Sequence, residues 1–207
     1  MLAAFGIERM CGRFANSETI PVTAGRWLAS FTEGLADWQP SDDIRPTQRV
    51  PVLLEGLDRP RRLGLMRWGW ARDFAASGNL INARAEDMAG KKTFAEAVQR
   101  RRCLIPATSW FEWQTNPAAP KGKKTKHRLM PVIDGSWALA GLWEALPGEK
   151  AGAIVVVTVA ADPSVAAVHD RMPAIVGLEG ARAWLAGTVT EAMRMVGPVA
   201  GRAEALG

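Results

Sequence analysis

Cys11 directly follows Met10, and a cysteine that begins a polypeptide carries an α-amine and a thiol on adjacent carbons. Their ordinary pKa values, about 7.7–8 and about 8.5, leave a useful fraction of each nucleophilic near neutral pH. Such a pair captures an aldehyde twice: the amine forms an imine, and the thiol then closes a five-membered thiazolidine. With the preceding residues attached, the nitrogen is an amide and the reaction is closed off. Met1–Arg9 is too short, and too soon interrupted by Glu8 and Arg9, to be a signal peptide. Residues 1–9 are therefore expected to be an extension, arising from an upstream start codon or a removed pro-segment, ahead of one domain over 10–207. The competing reading of Cys11 is a small buried hydrophobe, the commonest fate of a free cysteine.

Other side chains could serve the same chemistry. His169, in His169-Asp170-Arg171-Met172-Pro173, can act as acid or base near pH 7. Glu112 lies between aromatics in Trp110-Phe111-Glu112-Trp113. In a partly dry pocket its pKa would rise, which suits a proton shuttle; on the wet face of a strand it would be a solvated carboxylate. Asn82 and Arg84 are two apart, so on a strand both face the same way. The amide can hold an oxygen or an amine, and the guanidinium can clamp a phosphate with two hydrogen bonds. Cys103, in an apolar run, is expected in the core, and His127, within a cationic run, in solvent.

The elements that must position these residues follow from pattern. Strands are expected at Val50–Glu55, Leu63–Trp70, Leu80–Arg84, Cys103–Pro106, Trp110–Gln114, Leu129–Ile133, Trp137–Trp143 and Ala153–Val159, with a turn around Leu57–Arg61. Ile154–Val157 is β-branched throughout, as in a strand covered on both faces. Short helices are expected at Pro21–Phe31, Thr93–Arg102 (Thr93 as N-cap, Glu96 at capping-box spacing), from Asp162-Pro163 onward, and at Gly180–Ala186. Asn116–Arg128 is expected to be an exposed loop. Strands and helices do not alternate strictly, which predicts a single α+β domain with a strongly curved, mostly antiparallel sheet.

The 207 residues are enough for a sizeable core. Two cysteines make no disulfide framework, and neither they nor the two histidines sit at paired ligand spacing. No metal or cofactor is therefore expected, and a reducing cytosol is the default compartment. No apolar run approaches a membrane span. A net charge of +5 fits a polyanionic partner, and nine tryptophans without one tyrosine supply faces on which bases can stack, although most should be core.

In order along the chain stand Met10-Cys11-Gly12-Arg13-Phe14, Ile81-Asn82-Ala83-Arg84-Ala85-Glu86, Arg102-Cys103-Leu104-Ile105-Pro106-Ala107, Trp110-Phe111-Glu112-Trp113 and His169-Asp170-Arg171-Met172-Pro173. This series resembles the SRAP family, the SOS response-associated peptidases or abasic-site processing proteins, from Met10 to about Pro198. The resemblance implies a compact barrel-like α+β fold. It also implies binding of single-stranded DNA by a monomer in the cytoplasm, nucleoid-associated when on DNA. The chemistry implied is a covalent thiazolidine between Cys11 and the ring-opened sugar of an abasic site. Asn82 would then position the amine or sugar, Glu112 would move protons, and His169 would help open the sugar and assist reversal. Arg84 and Arg171, with Arg13 and Thr158, would hold phosphates. Three departures stand out. Residues 1–9 precede the expected start. Asp43-Ile44-Arg45-Pro46 replaces Asn-x-Ala-Pro. Phe74 replaces a tryptophan that can wedge against bases. Two other readings remain open: a thiol or self-cleaving peptidase using Cys11, Glu112 and His169, and a non-covalent single-strand binding module.

Overall fold

The computed structural model describes residues 11–56, 58–75, 78–115, 123–146 and 152–206. Its centre is a ring of five strands. These are β3 (Arg49–Gly56), β4 (Arg59–Trp68), β8 (Arg102–Pro106), β11 (Trp137–Ala145) and β12 (Gly152–Ala160). β12 pairs with both β4 and β11, so the order β12-β4-β3-β8-β11 returns to its start. Closure leaves these strands few open edges. Within the ring only β12 and β4 run parallel, and the curved, mostly antiparallel sheet agrees with the sequence expectation. Residues 152–159 of β12 are buried throughout, as its β-branched composition predicts.

Three short strands extend the ring: β7 (Asn82–Arg84), β13 (Arg171–Pro173) and β14 (Ile175–Gly177). β7 lies parallel to β12 with Asn82 opposite Val156 and Arg84 opposite Thr158. β13 lies antiparallel to β12 with Pro173 opposite Thr158 and Arg171 opposite Ala160. Side chains alternate along a strand, so this register puts Asn82, Arg84, Thr158 and Arg171 on one face.

A second sheet has the order β15-β10-β9-β1-β2, with β1 (Phe14–Asn16), β2 (Ser41–Ile44), β9 (Ser109–Thr115), β10 (Lys124–Pro131) and β15 (Gly201–Leu206). The sheets share one core. Phe14 packs on Trp68 with ring centroids 5.1 Å apart, and Trp27, Trp68, Trp70, Trp110 and Trp184 are fully buried. The buried indoles of Trp68, Trp70 and Trp184 donate to the carbonyls of Ile81, Ala153 and Cys103, which removes the cost of burying an N–H.

Several expectations need correction. The first helix, α1 (Ile20–Trp27), stops short of Phe31, because Leu28 turns left-handed at φ 50° and its N–H closes back on Ala24 and Gly25. The strand expected through Trp70 breaks at Gly69, whose φ of 117° suits only glycine, and a two-residue β5 (Trp70–Ala71) follows. The strand expected at Leu80–Arg84 breaks at Ile81 into β6 (Asn79–Leu80) and β7. The four-residue α2 (Ala85–Met88) follows β7. Helix α3 (Lys92–Arg100) starts one residue before Thr93, with no side-chain cap, and Glu96 pairs instead with Arg101. Residues 163–168 form turns, not a helix: the Asp162 carboxylate accepts from both Ser164 N–H and Ser164 hydroxyl, and the chain leaves at His169.

Residues 124–128 lie in β10 rather than in a loop, while residues 116–122 of that expected loop fall outside the described residues. These cations form a strand because the aromatic rings of β9 lie beneath them. Lys126 Nζ stands 4.0 Å from the Phe111 centroid, and the Arg128 guanidinium stands 5.8 Å from the same ring. The expected extension 1–9 and Leu57 of the expected turn also fall outside the described residues. Among the described residues, no helix is long and apolar enough to cross a membrane.

Candidate active site

Glu112 sits mid-strand on β9, on the face opposite Phe111 and Trp113, and is 1% exposed. Its carboxylate Oε1 accepts the Cys11 N–H at 2.8 Å. The Cys11 thiol lies near the same carboxylate, so both reactive atoms of the cysteine converge on one acid. Cys11 is 4% exposed and immediately precedes the strand region that pairs with β9. Phe111 N–H donates to the Arg13 carbonyl, which sets this register.

Burial pushes the Glu112 carboxyl above its ordinary value, opposed by its bonds to Cys11 and the nearby His169. Burial, reinforced by the adjacent carboxylate, pushes the Cys11 thiol well up, opposed by Arg171. The thiol therefore stays protonated until a base takes its proton, and the carboxyl poised to do so has been moved towards neutrality.

His169 closes the site from the turn before β13. Its Nδ1 accepts the Arg171 N–H at 3.0 Å, which makes the neutral ring the Nε2–H tautomer. The Asp170 carboxylate lies 3.0 Å from the same Nδ1, so a protonated ring would donate there instead. One nitrogen thus has a partner in either charge state.

Arg171 and Thr158 form a second cluster on the β7–β12–β13 face. Arg171 Nη2 donates to the Thr158 carbonyl at 2.8 Å and to Thr158 Oγ1 at 3.2 Å. Nη1 and Nη2 also grip the two oxygens of Glu86, at 2.7 and 3.0 Å. Thr158 itself is fully buried. Asn82 is half-buried and Arg84 exposed on β7.

Arg13 projects to the other face of β9, over the Trp113 ring at 5.1 Å, with Asp43 at 3.0 Å. Asp43 also holds Arg45, which lowers its carboxyl pKa. Phe74 lies apart from the cysteine, on the loop after Trp70–Ala71, and is 71% exposed.

The structure thus brings Cys11, Glu112 and His169 together, and adjoins Arg171 and Thr158 to them. It places Arg13 on the opposite face of the sheet and Phe74 on a separate loop. Sequence reasoning missed Glu86 as the partner of Arg171; its only signal was an acid two residues after Arg84. It also put His127 in solvent. His127 is half-buried directly across from Glu112 in the β9–β10 register, with Nε2 3.1 Å from Gln114 Oε1 and Nδ1 buried. Among the described residues, no group of three or more His, Cys, Asp or Glu side chains could hold a metal ion.

Known proteins with related sequences carry matching descriptions. The chain is 32% identical over 185 residues to the abasic site processing protein YoqW of Bacillus subtilis, covering 85% of this chain and 80% of that protein. It is 31% identical over 186 residues to the abasic site processing protein YedK of Escherichia coli, covering 85% and 79%. A crystal structure of a Bacteroides thetaiotaomicron protein superposes with a TM-score of 0.80 at 18% identity, covering 95% of this chain and 92% of that one, which establishes the shared fold. The sequence model of the SOS response associated peptidase (SRAP) family matches residues 10–205, and this chain belongs to that family.

Proposed function

We propose that this protein captures abasic sites in single-stranded DNA by a covalent thiazolidine link through Cys11. The carrying observation is the Cys11 nitrogen 2.8 Å from a buried Glu112 carboxylate that lies near the thiol as well. The nitrogen in the structure is a peptide N–H; it marks where the α-amine stands once Cys11 leads the chain. The ring-opened sugar presents an aldehyde. The amine attacks it, Glu112 relays the proton to the departing oxygen, and one water leaves as the imine forms. The thiol then adds to the imine carbon while its proton passes through Glu112 to the imine nitrogen. The net reaction joins amine, thiol and aldehyde with loss of one water. His169, changing which partner its Nδ1 engages, supplies acid–base assistance to sugar opening and to reversal. Arg171 and Arg84 hold phosphates so that capture becomes intramolecular, an advantage of up to ~7–11 kcal/mol in ideal geometry.

One observation favours self-cleavage at the same residues as a preparatory step. Cys11 holds φ at 41°, a left-handed conformation that costs a non-glycine residue about 1–3 kcal/mol. That dihedral ceases to exist when the Met10–Cys11 bond is cut, so cleavage releases the strain.

The test mixes protein beginning at Cys11 with an abasic oligonucleotide and resolves the products on a denaturing gel. A heat-stable shifted band is expected from wild type and none from Cys11→Ala. Equal bands from both, or binding that salt fully reverses with no band at all, would overturn the proposal. Intact mass of the full-length chain reports the preparatory step: loss of residues 1–10 in wild type but not in Cys11→Ala or Glu112→Ala is expected.

A further inference from the structure

Arg171 is gripped from two sides. Behind it, the Thr158 carbonyl and hydroxyl fix Nη2. In front, Glu86 takes the end-on fork of the guanidinium with both carboxylate oxygens. Nε is buried and has no hydrogen-bond partner among the described residues. The Arg171 side chain is 12% exposed and that of Glu86 is 52% exposed, so the carboxylate lies between the guanidinium and water. A phosphate presents the same pair of oxygens to the same fork as a carboxylate. The two anions cannot share it.

We propose that Glu86 is a built-in competitor for the DNA phosphate: its carboxylate occupies the Arg171 fork, and DNA binds by taking that fork from it. This rests on the proposed role of Arg171 in holding DNA. The Glu86 side chain is 52% exposed, so water can take the place of Arg171 at the carboxylate when it yields. Protonation does not relieve the competition either: Arg171 holds the Glu86 carboxyl down to about 2, so it is charged wherever the protein works. The consequence is selectivity. A strand whose only offer is a phosphate at Arg171 must first displace an anion and gains little. A strand whose abasic sugar also reaches Cys11 gains the covalent bond besides. Glu86 thus weakens casual attachment to undamaged strands while leaving capture intact.

The test uses the protein beginning at Cys11, a labelled undamaged thymidine oligonucleotide, and Glu86→Gln, which keeps shape and removes charge. Glu86→Gln should bind the undamaged strand up to roughly fivefold tighter, the scale of one partly exposed ion pair. The slope of log K against log salt should steepen by about 0.7, one more phosphate neutralised on a single strand. Both gains should vanish when Arg171→Ala is added, which a merely structural effect would not require. Glu86→Ala repeats the measurement should the amide unsettle α2. Unchanged or weaker binding by both variants, in protein that still crosslinks an abasic strand, overturns this inference alone and makes Glu86 a buttress. A wild type that neither binds nor crosslinks overturns the functional reading and this inference with it.

Discussion

Cys11 and Cys103 are both free and both buried, and they sit in opposite kinds of surroundings. Cys103 lies in the barrel on β8, and a side chain on Gly141 would come within 2.9 Å of its sulfur. Burial alone pushes its thiol far up. Cys11 is raised by burial too, with a carboxylate bonded to its nitrogen and close to its sulfur, and an arginine pulling the other way. Desolvation by itself makes an inert thiol. A reactive one needs a group nearby that can accept its proton and a cation that can stabilise the anion. The two cysteines differ in neighbours, not in depth.

The sharpest way to break that comparison is to remove the neighbour. Glu112→Gln should slow crosslink formation by roughly 10²–10⁴, the usual worth of a positioned acid–base group. Cys103→Ala should leave the rate unchanged. A single-turnover gel time course reads both, and a rate loss in Cys103→Ala would show that depth in the barrel matters to the chemistry.

The next effect concerns packing. A Cβ on Gly141 would stand 2.7 Å from Ile105 Cδ1, 2.9 Å from Cys103 Sγ and 3.2 Å from the Val155 carbonyl. Gly141→Ala should therefore cost about 1–3 kcal/mol, the usual price of overpacking. Adding Cys103→Ala removes one clashing atom, so the double variant should be more stable than the sum of the singles predicts. Urea midpoints decide this; strict additivity would mean that the sulfur does not limit the space at Gly141.

The two regions also differ in how far the sequence reveals them. The barrel strands β8, β11 and β12 are apolar runs, and their type and extent follow from composition alone. The second sheet hides its strands. Gly201–Leu206 contains Ala203, Glu204, Ala205 and Leu206, which favour helix, yet it pairs along β10 as an edge strand. Lys124–Arg128 looks solvated because the rings that support it lie on β9, a separate part of the sequence. Phe14–Asn16 is too short to announce itself, and it is the strand that carries Cys11 to Glu112. Of the site, the reactive types were legible in their motifs. Their pairing was not: the Cys11–Glu112 bond spans 101 residues and the Arg171–Glu86 bond 85. Contacts that distant depend on sheet register, which local pattern does not fix. The capping box of Thr188 and Glu191 at the last helix, Val189–Arg194, is the converse case: a short-range signal present in the sequence and passed over.

The smallest effect sharpens the comparison through pH. Burial is the leading cause of the raised Glu112 carboxyl, so the native chain holds a proton that the unfolded chain has already released. A group of this kind contributes full stability below its unfolded pKa, near 4.5, and loses that contribution as pH rises towards its folded value. In a Cys11→Ala background, where neither crosslinking nor processing intervenes, stability should fall with pH above that point by up to about 1.4 kcal/mol per unit. Glu112→Gln in the same background should flatten the fall and be relatively more stable at pH 8 than at pH 4. Denaturant titrations across that range give the curve. Cys103→Ala should leave its shape unchanged there, because a thiol pushed far above its ordinary value remains protonated in both states over this window. Equal slopes with and without Glu112 would mean that the carboxylate is already compensated by its partners. Its activity would then have to come from position rather than from a tuned proton affinity.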